Sequence, residues 1–206
     1  MKTLFKLPRQ PYILACSGGP DSMAAFAFLL NGGHDFGVAY FHHGTEHGEE
    51  AQKFVANECI KRKVPFFTSF ISGIKNKKES PEEYFRRERY TFLASFNKKV
   101  ITAHHLDDCV ETWLFSSIHG NPKLIPYVTT LCIRPFLTCS KEELMDFATR
   151  SEMKWVIDPT NIQTDIPRNS IRHELIPLIK KVNPNIRSTI KRKLEDKFKR
   201  EGLKIF

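Results

Sequence analysis

A chain of 206 residues, 41% of them hydrophobic, is long enough to bury its own core and predicts one α/β domain with a small appendage. Its five cysteines, Cys16, Cys59, Cys109, Cys132 and Cys139, are scattered and form no Cys-x-x-Cys pair, which argues against a disulfide framework or a thiolate metal site; no apolar run approaches a bilayer span. The formal charge is +9, and residues 170–206 carry eleven Lys and Arg against four Asp and Glu, so most of the excess sits in the tail and points to a polyanionic partner. Together these features predict a cytoplasmic protein with reduced thiols and no membrane association.

The amino-terminal part reads as strand, tight loop, helix. Tyr12 to Cys16 is a short apolar run with the character of a buried strand, and Met23 to Leu30 reads as a buried helix. Between them lies Ser17-Gly18-Gly19-Pro20-Asp21-Ser22. Adjacent glycines accept positive φ and turn backbone N–H groups inward, and Pro20 fits a helix start, where a missing donor costs nothing. Backbone donors, the Ser17 and Ser22 hydroxyls and the helix end therefore form a cradle for phosphate or pyrophosphate. Asp21 would repel such a group unless a divalent cation lay between them, which implies Mg²⁺. No Gly-Lys-Ser/Thr follows, so this is not the Walker loop.

Asn31-Gly32-Gly33 ends that helix, Phe36 to Phe41 reads as a second strand, and a right-handed βαβ unit follows. His42-His43-Gly44 begins a ligand-facing loop; adjacent side chains on extended backbone point oppositely, which favours loop or nucleotide contacts over a metal. A helix over Glu49 to Lys63 and a strand over Val64 to Ile71 repeat the unit. Ser80-Pro81-Glu82-Glu83 is a capping-box start for a helix reaching Phe96 that carries Arg86, Arg87 and Arg89, either a solvated basic face or a carboxylate or phosphate clamp. Val100 to Ala103 is a fourth strand that runs into His104-His105-Leu106-Asp107-Asp108-Cys109-Val110-Glu111. With a helix starting at Asp107, Asp108 and Glu111 share a face at the end of a strand, where carboxylates serve either as caps or as cation ligands. Cys132 to Phe136 reads as a fifth strand, Ser140-x-x-Glu143 opens a capped helix, and Asn183-Pro184-Asn185 precedes a basic helix over Ile186 to Arg200. In that last helix Ile190, Leu194 and Phe198 recur every four residues and predict one docked face, the lysines being left to solvent or RNA. The boundary at Asn183 divides residues 1–182, a catalytic domain, from a basic helical tail over 183–206 with no further domains.

The Ser-Gly-Gly-x-Asp-Ser loop resembles that of the PP-loop ATP pyrophosphatases. In the same order come Arg86-x-x-Arg89-Tyr90, Ala103-His104-His105-x-Asp107-Asp108-x-x-Glu111-Thr112, Ile133-Arg134-Pro135-Phe136-Leu137, Asp158-Pro159-Thr160-Asn161 and Arg168-Asn169-Ser170-Ile171-Arg172. Six blocks in this order resemble the catalytic domain of bacterial tRNA(Ile)-lysidine synthetases over nearly the whole chain through Pro177. His42-His43-Gly44 stands where that family usually has Asp-His-Gly, and Ser116 to Thr130 lacks the family's Arg-Gly-x-Gly turn. The resemblance implies a Rossmann-like parallel sheet with helices on both faces. It also implies ligation of free L-lysine to C2 of the wobble cytidine of a tRNA(Ile) with a CAU anticodon, through an adenylated intermediate, with release of AMP and pyrophosphate. ATP would lie in Ser17 to Ser22, and Mg²⁺ near Asp21 and Asp107. Lysine would be held by Asp108 and Glu111 at its ammonium and by Arg86 or Arg89 at its carboxylate. His105 would accept a proton, Arg168 would complete the catalytic set with Asp21 and Asp108, and Arg168, Arg172, Lys191 and Arg192 would meet the tRNA. Charge in the tail, a homodimer or a further partner would supply the tRNA grip. A PP-loop thiolase is the rival enzyme, disfavoured by the missing Cys-x-x-Cys pairs, and an RNA-binding protein with a vestigial nucleotide site is the rival outside enzymes.

Overall fold

The computed structural model describes residues 3, 6–157 and 167–203. Asp158-Pro159-Thr160-Asn161, one of the six blocks that carry the resemblance, lies outside the described residues. Five strands form one parallel sheet in the order β3-β2-β1-β4-β5: β1 (Tyr12–Ala15), β2 (Phe36–His42), β3 (Phe66–Phe70), β4 (Lys99–Ile101) and β5 (Cys132–Ile133). In register, Tyr12 lies opposite Phe36 on one side and Lys99 on the other. Strands 1 to 3 step one way and strand 4 returns to the far side of β1, so the strand order reverses between β1 and β4. Crevices at such reversals, beyond the carboxyl ends of the strands, are where open α/β sheets bind ligands.

Period-two alternation distributes the sheet's side chains between two cores. Tyr12, Leu14, Val38 and Ile101 enter the larger one, with α1 (Pro20–Asn31), α2 (Glu46–Arg62), α4 (Leu106–Ile118) and α5 (Lys141–Arg150) supplying the rest. Ile13, Ala39, Val100 and Cys132 face the other way and meet Leu93 of α3 (Pro81–Ala94), backed by Tyr90, Phe92 and Phe96. Helices thus cover both faces. The first helix is apolar all round and buried from Ser22 to Ala27, as a helix wedged between sheet and α5 must be.

The capping boxes at Ser80 and Ser140 form as the sequence predicts: each hydroxyl accepts from the N3 amide (Glu83, Glu143), and that glutamate accepts from the serine amide. Two strands, β3 and β5, fall well short of their expected length. β3 begins only at Phe66, because Lys63 takes the left-handed cap of α2 (φ 56°), the Val64 amide is spent on Cys59, and Pro65 has no donor. β5 stops at Ile133, because the Arg134 amide turns to the Tyr127 carbonyl, Pro135 has none to give, and Phe136–Cys139 closes a turn.

The carboxy-terminal segment runs as α6 (Pro167–Ser170), a π-helical turn (Ile171–Leu175), α7 (Ile176–Val182) and α8 (Ile186–Arg200). The Ile186, Ile190, Leu194 and Phe198 side chains of α8 are buried against α4 as part of the larger core. The basic helix is therefore one wall of the domain rather than a free appendage. No helix among the described residues is long and apolar enough to cross a membrane.

Candidate active site

A pocket of about 530 Å³ opens at the strand-order reversal. Ser17, Gly19, Asp21 and Ser22 form one wall, Thr102 to His104 and Asp108 a second, Arg89, Tyr90 and Leu93 a third, and the stretch from Ala39 through Thr45 to Ala51 the far end.

The loop after β1 is held from within. Ser22 Oγ donates to the Gly19 carbonyl (2.9 Å), accepts from the Ser17 amide (3.2 Å) and lies 3.3 Å from Ser17 Oγ. Ser22 is 6% exposed, so its hydroxyl acts mainly as the strut of the cradle, while Ser17 is exposed. Gly18 takes φ +81°, and a Cβ there would come within 3.1 Å of both Val55 and Val156, whose amide donates to the Gly18 carbonyl. Gly18 and Pro20 shape the loop without lining the pocket; Ser17, Gly19 and Asp21 line it.

At the neighbouring strand end His105 caps α4, and its amide donates to Asp108 Oδ2 (2.9 Å). The buried imidazole lies among carboxylates: Nε2 is 3.5 Å from Asp21 Oδ1 and 3.6 Å from Asp108 Oδ2, and Nδ1 is 3.8 Å from Asp107 Oδ2. Burial disfavours the imidazolium, but Asp21, Asp108 and Asp107 outweigh it and hold the His105 pKa above the usual histidine value. Burial likewise pushes Asp21 up, and His105, Lys141 and Arg172 outweigh that, leaving it below the ordinary carboxylate range. Asp108 is raised by burial and by the Asp21 and Glu111 charges, with His105 opposing. His104 is the opposite of its neighbour. Burial, then the Arg134, Arg89 and Arg86 charges, lower it to about 3, and Thr102 Oγ1 holds its Nδ1 at 2.9 Å. The pocket therefore has a cationic end at Arg89 and an anionic end at Asp21 and Asp108.

Several expected residues take other places. Asp107 does not line the pocket; Arg187 Nε (2.7 Å) and the Lys141 amide (2.9 Å) take its two oxygens, which removes it as a metal ligand. Glu111, 5% exposed, does not face open space for an ammonium: Arg168 Nη1 lies 3.2 Å from Oε1, and Arg172 Nε and Nη2 lie 3.1 and 2.6 Å from Oε2. Arg168 on α6 and Arg172 in the π-helical turn, four residues apart, meet on the one carboxylate. Arg168 also pairs with Glu82 and covers the Phe115 ring, outside the pocket lining, whereas Arg172 lines the pocket 3.8 Å from Asp108. Arg86 is exposed over the Tyr90 ring, while Arg89 lines the pocket with no carboxylate within 4 Å among the described residues. Lys191 is half-buried and Arg192 exposed on α8, away from the pocket. Carboxylates on either side raise the His105 pKa and favour its charged form, which pairs with Asp21 and Asp108. Sequence reasoning missed Lys141, 4.0 Å from Asp21 Oδ2, and Arg187. The first residue of a capped helix beside a carboxylate run was the one available signal for Lys141.

For Mg²⁺ the fit rests on Asp21. Its Oδ1 is buried without a hydrogen bond and sits beside the anion cradle, and among the described residues no three His, Cys, Asp or Glu side chains form a metal cage. One carboxylate plus nucleotide phosphates is the donor set Mg²⁺ prefers.

A parallel sheet with a glycine-rich anion loop at its strand-order reversal defines an α/β nucleotide-binding protein. The chain belongs to the PP-loop domain family, whose model matches residues 1–179. It is similar to the tRNA(Ile)-lysidine synthase of Petrotoga mobilis (32% identity over 86% of this chain and 62% of that protein) and to that of Wigglesworthia glossinidia brevipalpis (31% over 95% and 55%). The chain thus spans less than two thirds of the length of these curated relatives. Among solved structures, an NH3-dependent NAD synthetase from Campylobacter jejuni shares the fold, with a TM-score of 0.54 at 15% identity over 94% of this chain and 87% of that one.

Proposed function

We propose that the pocket uses ATP to activate the C2 carbonyl of the wobble cytidine of a tRNA(Ile) with a CAU anticodon and then joins lysine to that carbon. The observation that carries this reading is the pairing, in one pocket, of the Ser17–Ser22 anion loop with Asp108 and Arg89 at separate positions. A phosphate chain, an ammonium and a carboxylate each find a complementary group. Similarity to tRNA(Ile)-lysidine synthases supplies the choice of base and nucleophile.

In the first step the cytosine 2-oxygen attacks the α-phosphorus of ATP; a P–O bond forms and the bond to the β-phosphate oxygen breaks, releasing pyrophosphate. Ser17 and Gly19 hold the phosphates, and Asp21 would hold Mg²⁺, which supplies charge neutralisation when bound. His105, favoured as the imidazolium, holds Asp21 and Asp108 in place. In the second step the ε-amine attacks C2, a C–N bond forms, and AMP leaves with the oxygen. The amine must be neutral, and Asp108, with its raised pKa, accepts the proton better than an ordinary carboxylate. Arg89 receives the lysine carboxylate. Glu111 acts through Arg172, which it orients between itself and Asp108.

Pyrophosphate release tests the reading. Purified protein with ATP, Mg²⁺ and a CAU-anticodon isoleucine tRNA transcript is expected to release pyrophosphate, and Asp21→Asn to abolish the release. Full activity in Asp21→Asn would refute the assignment.

A further inference from the structure

Arg187 stands at the start of α8, the basic carboxy-terminal helix, yet its guanidinium reaches the carboxylate row beside the pocket. Nε donates to Asp107 Oδ1 at 2.7 Å, Nη2 pairs with the same oxygen, and Nη2 also meets Glu142 Oε1 at 2.9 Å. Asp107 Oδ2 accepts from the Lys141 amide at 2.9 Å. Three elements, α4, α5 and α8, therefore converge on Asp107, the residue between His105-Leu106 and Asp108.

The consequence lies one residue inward. Asp107 Oδ2 sits 3.8 Å from His105 Nδ1, too far for a hydrogen bond, and Nδ1 is buried without any hydrogen-bond partner. The opposite nitrogen of the same ring faces Asp21 and Asp108. Take Arg187 away and Asp107 Oδ1 loses its guanidinium donors, while a buried, unpartnered ring nitrogen lies within reach of a small carboxylate rotation. An unpartnered buried donor or acceptor is costly, so closure of that gap is favoured. Closing 3.8 Å to hydrogen-bond length takes about 1 Å of relative motion, and the part of it that the ring supplies draws Nε2 away from Asp21 and Asp108.

We propose that Arg187 is a positioning residue: by holding Asp107 back against Lys141 and Glu142, it keeps His105 seated on Asp21 and Asp108. The inference rests on the proposed roles of those two carboxylates. It gives the terminal helix a task in the chemistry in addition to any contact with RNA.

Steady-state pyrophosphate release, with ATP and tRNA varied separately, tests it. Arg187→Ala is expected to lower kcat on the order of 10- to 100-fold, the usual penalty for a misplacement near 1 Å, with both KM values near those of the wild type. Arg187→Lys, which keeps the charge but cannot bridge Asp107 and Glu142 with a fork, should recover part of the loss. In an Asp107→Asn background, Arg187→Ala should cause no additional fall. An unchanged kcat, a loss equally large in the Asp107→Asn background, or an effect confined to thermal stability and tRNA KM would overturn the proposal, the last outcome marking Arg187 as a staple for α8 alone. Should Arg187→Ala fail to fold, Arg187→Gln, which retains one donor, is read by the same criteria. Wild-type protein without pyrophosphate release would instead overturn the reading of the pocket itself, and this inference with it.

Discussion

In the proposed reaction Asp21, Asp108 and Arg89 divide the work, and the role of Arg89 can be tested singly. Arg89 lines the cationic end beside Tyr90, so Arg89→Ala is expected to raise the KM for lysine about 10- to 100-fold, the equivalent of losing a charged hydrogen-bonded pair, with little change in the KM for ATP. A shift confined to ATP would assign Arg89 to phosphate. His104 makes a separate statement about stability. Burial and three arginines hold it neutral down to about pH 3, whereas the unfolded chain's histidine takes a proton below about pH 6.5. The unfolded state therefore binds more protons between these values, and stability falls as pH drops from about 6.5 towards 3. Thermal melts across that range should show a shallower pH slope in His104→Asn than in the wild type; parallel slopes would refute this. At this scale the sequence was half legible. Spacing placed Asp108 and Glu111 on one face, and they are, but only the folded chain brings Arg168 and Arg172 from 57 and 61 residues away onto Glu111. Contacts so remote in sequence leave no periodic signal.

Among the elements, those with strong local chemistry were the most readable. The Ser80 and Ser140 capping boxes and the four-residue repeat of Ile190, Leu194 and Phe198 all appear where patterning places them. Ser140→Ala should cost about 1 kcal/mol in denaturant unfolding. The fifth strand was overestimated because an apolar run does not reveal that the Arg134 amide would be taken by Tyr127. Burial of α8 sets a larger expectation: Phe198, fully buried against Tyr127 and α4, should cost about 3–5 kcal/mol on Phe198→Ala. A loss below about 1 kcal/mol would mean that α8 is a loosely held appendage after all.

For the whole molecule, charge is the readable quantity. Eleven cations stand against four anions over residues 170–206, and most of the cations lie on the π-helical turn, α7 and α8. If these helices meet tRNA phosphates, the logarithm of the affinity falls linearly with log salt, and the double variant Lys191→Ala, Arg192→Ala makes that slope shallower by about 2. An unchanged slope would place the tRNA elsewhere. The parallel sheet and the ligand-facing loops at its strand ends followed from strand–loop–helix repeats, whereas the strand-order reversal between β1 and β4 that locates the crevice is visible only in the fold.

The most direct measurement is transfer of radiolabelled lysine into a CAU-anticodon isoleucine tRNA transcript in the presence of ATP and Mg²⁺. Label is expected in the RNA, and none when the wobble cytidine is replaced by uridine. Pyrophosphate release without lysine transfer would contradict the choice of nucleophile, and neither product despite tRNA binding would contradict the proposed reaction altogether.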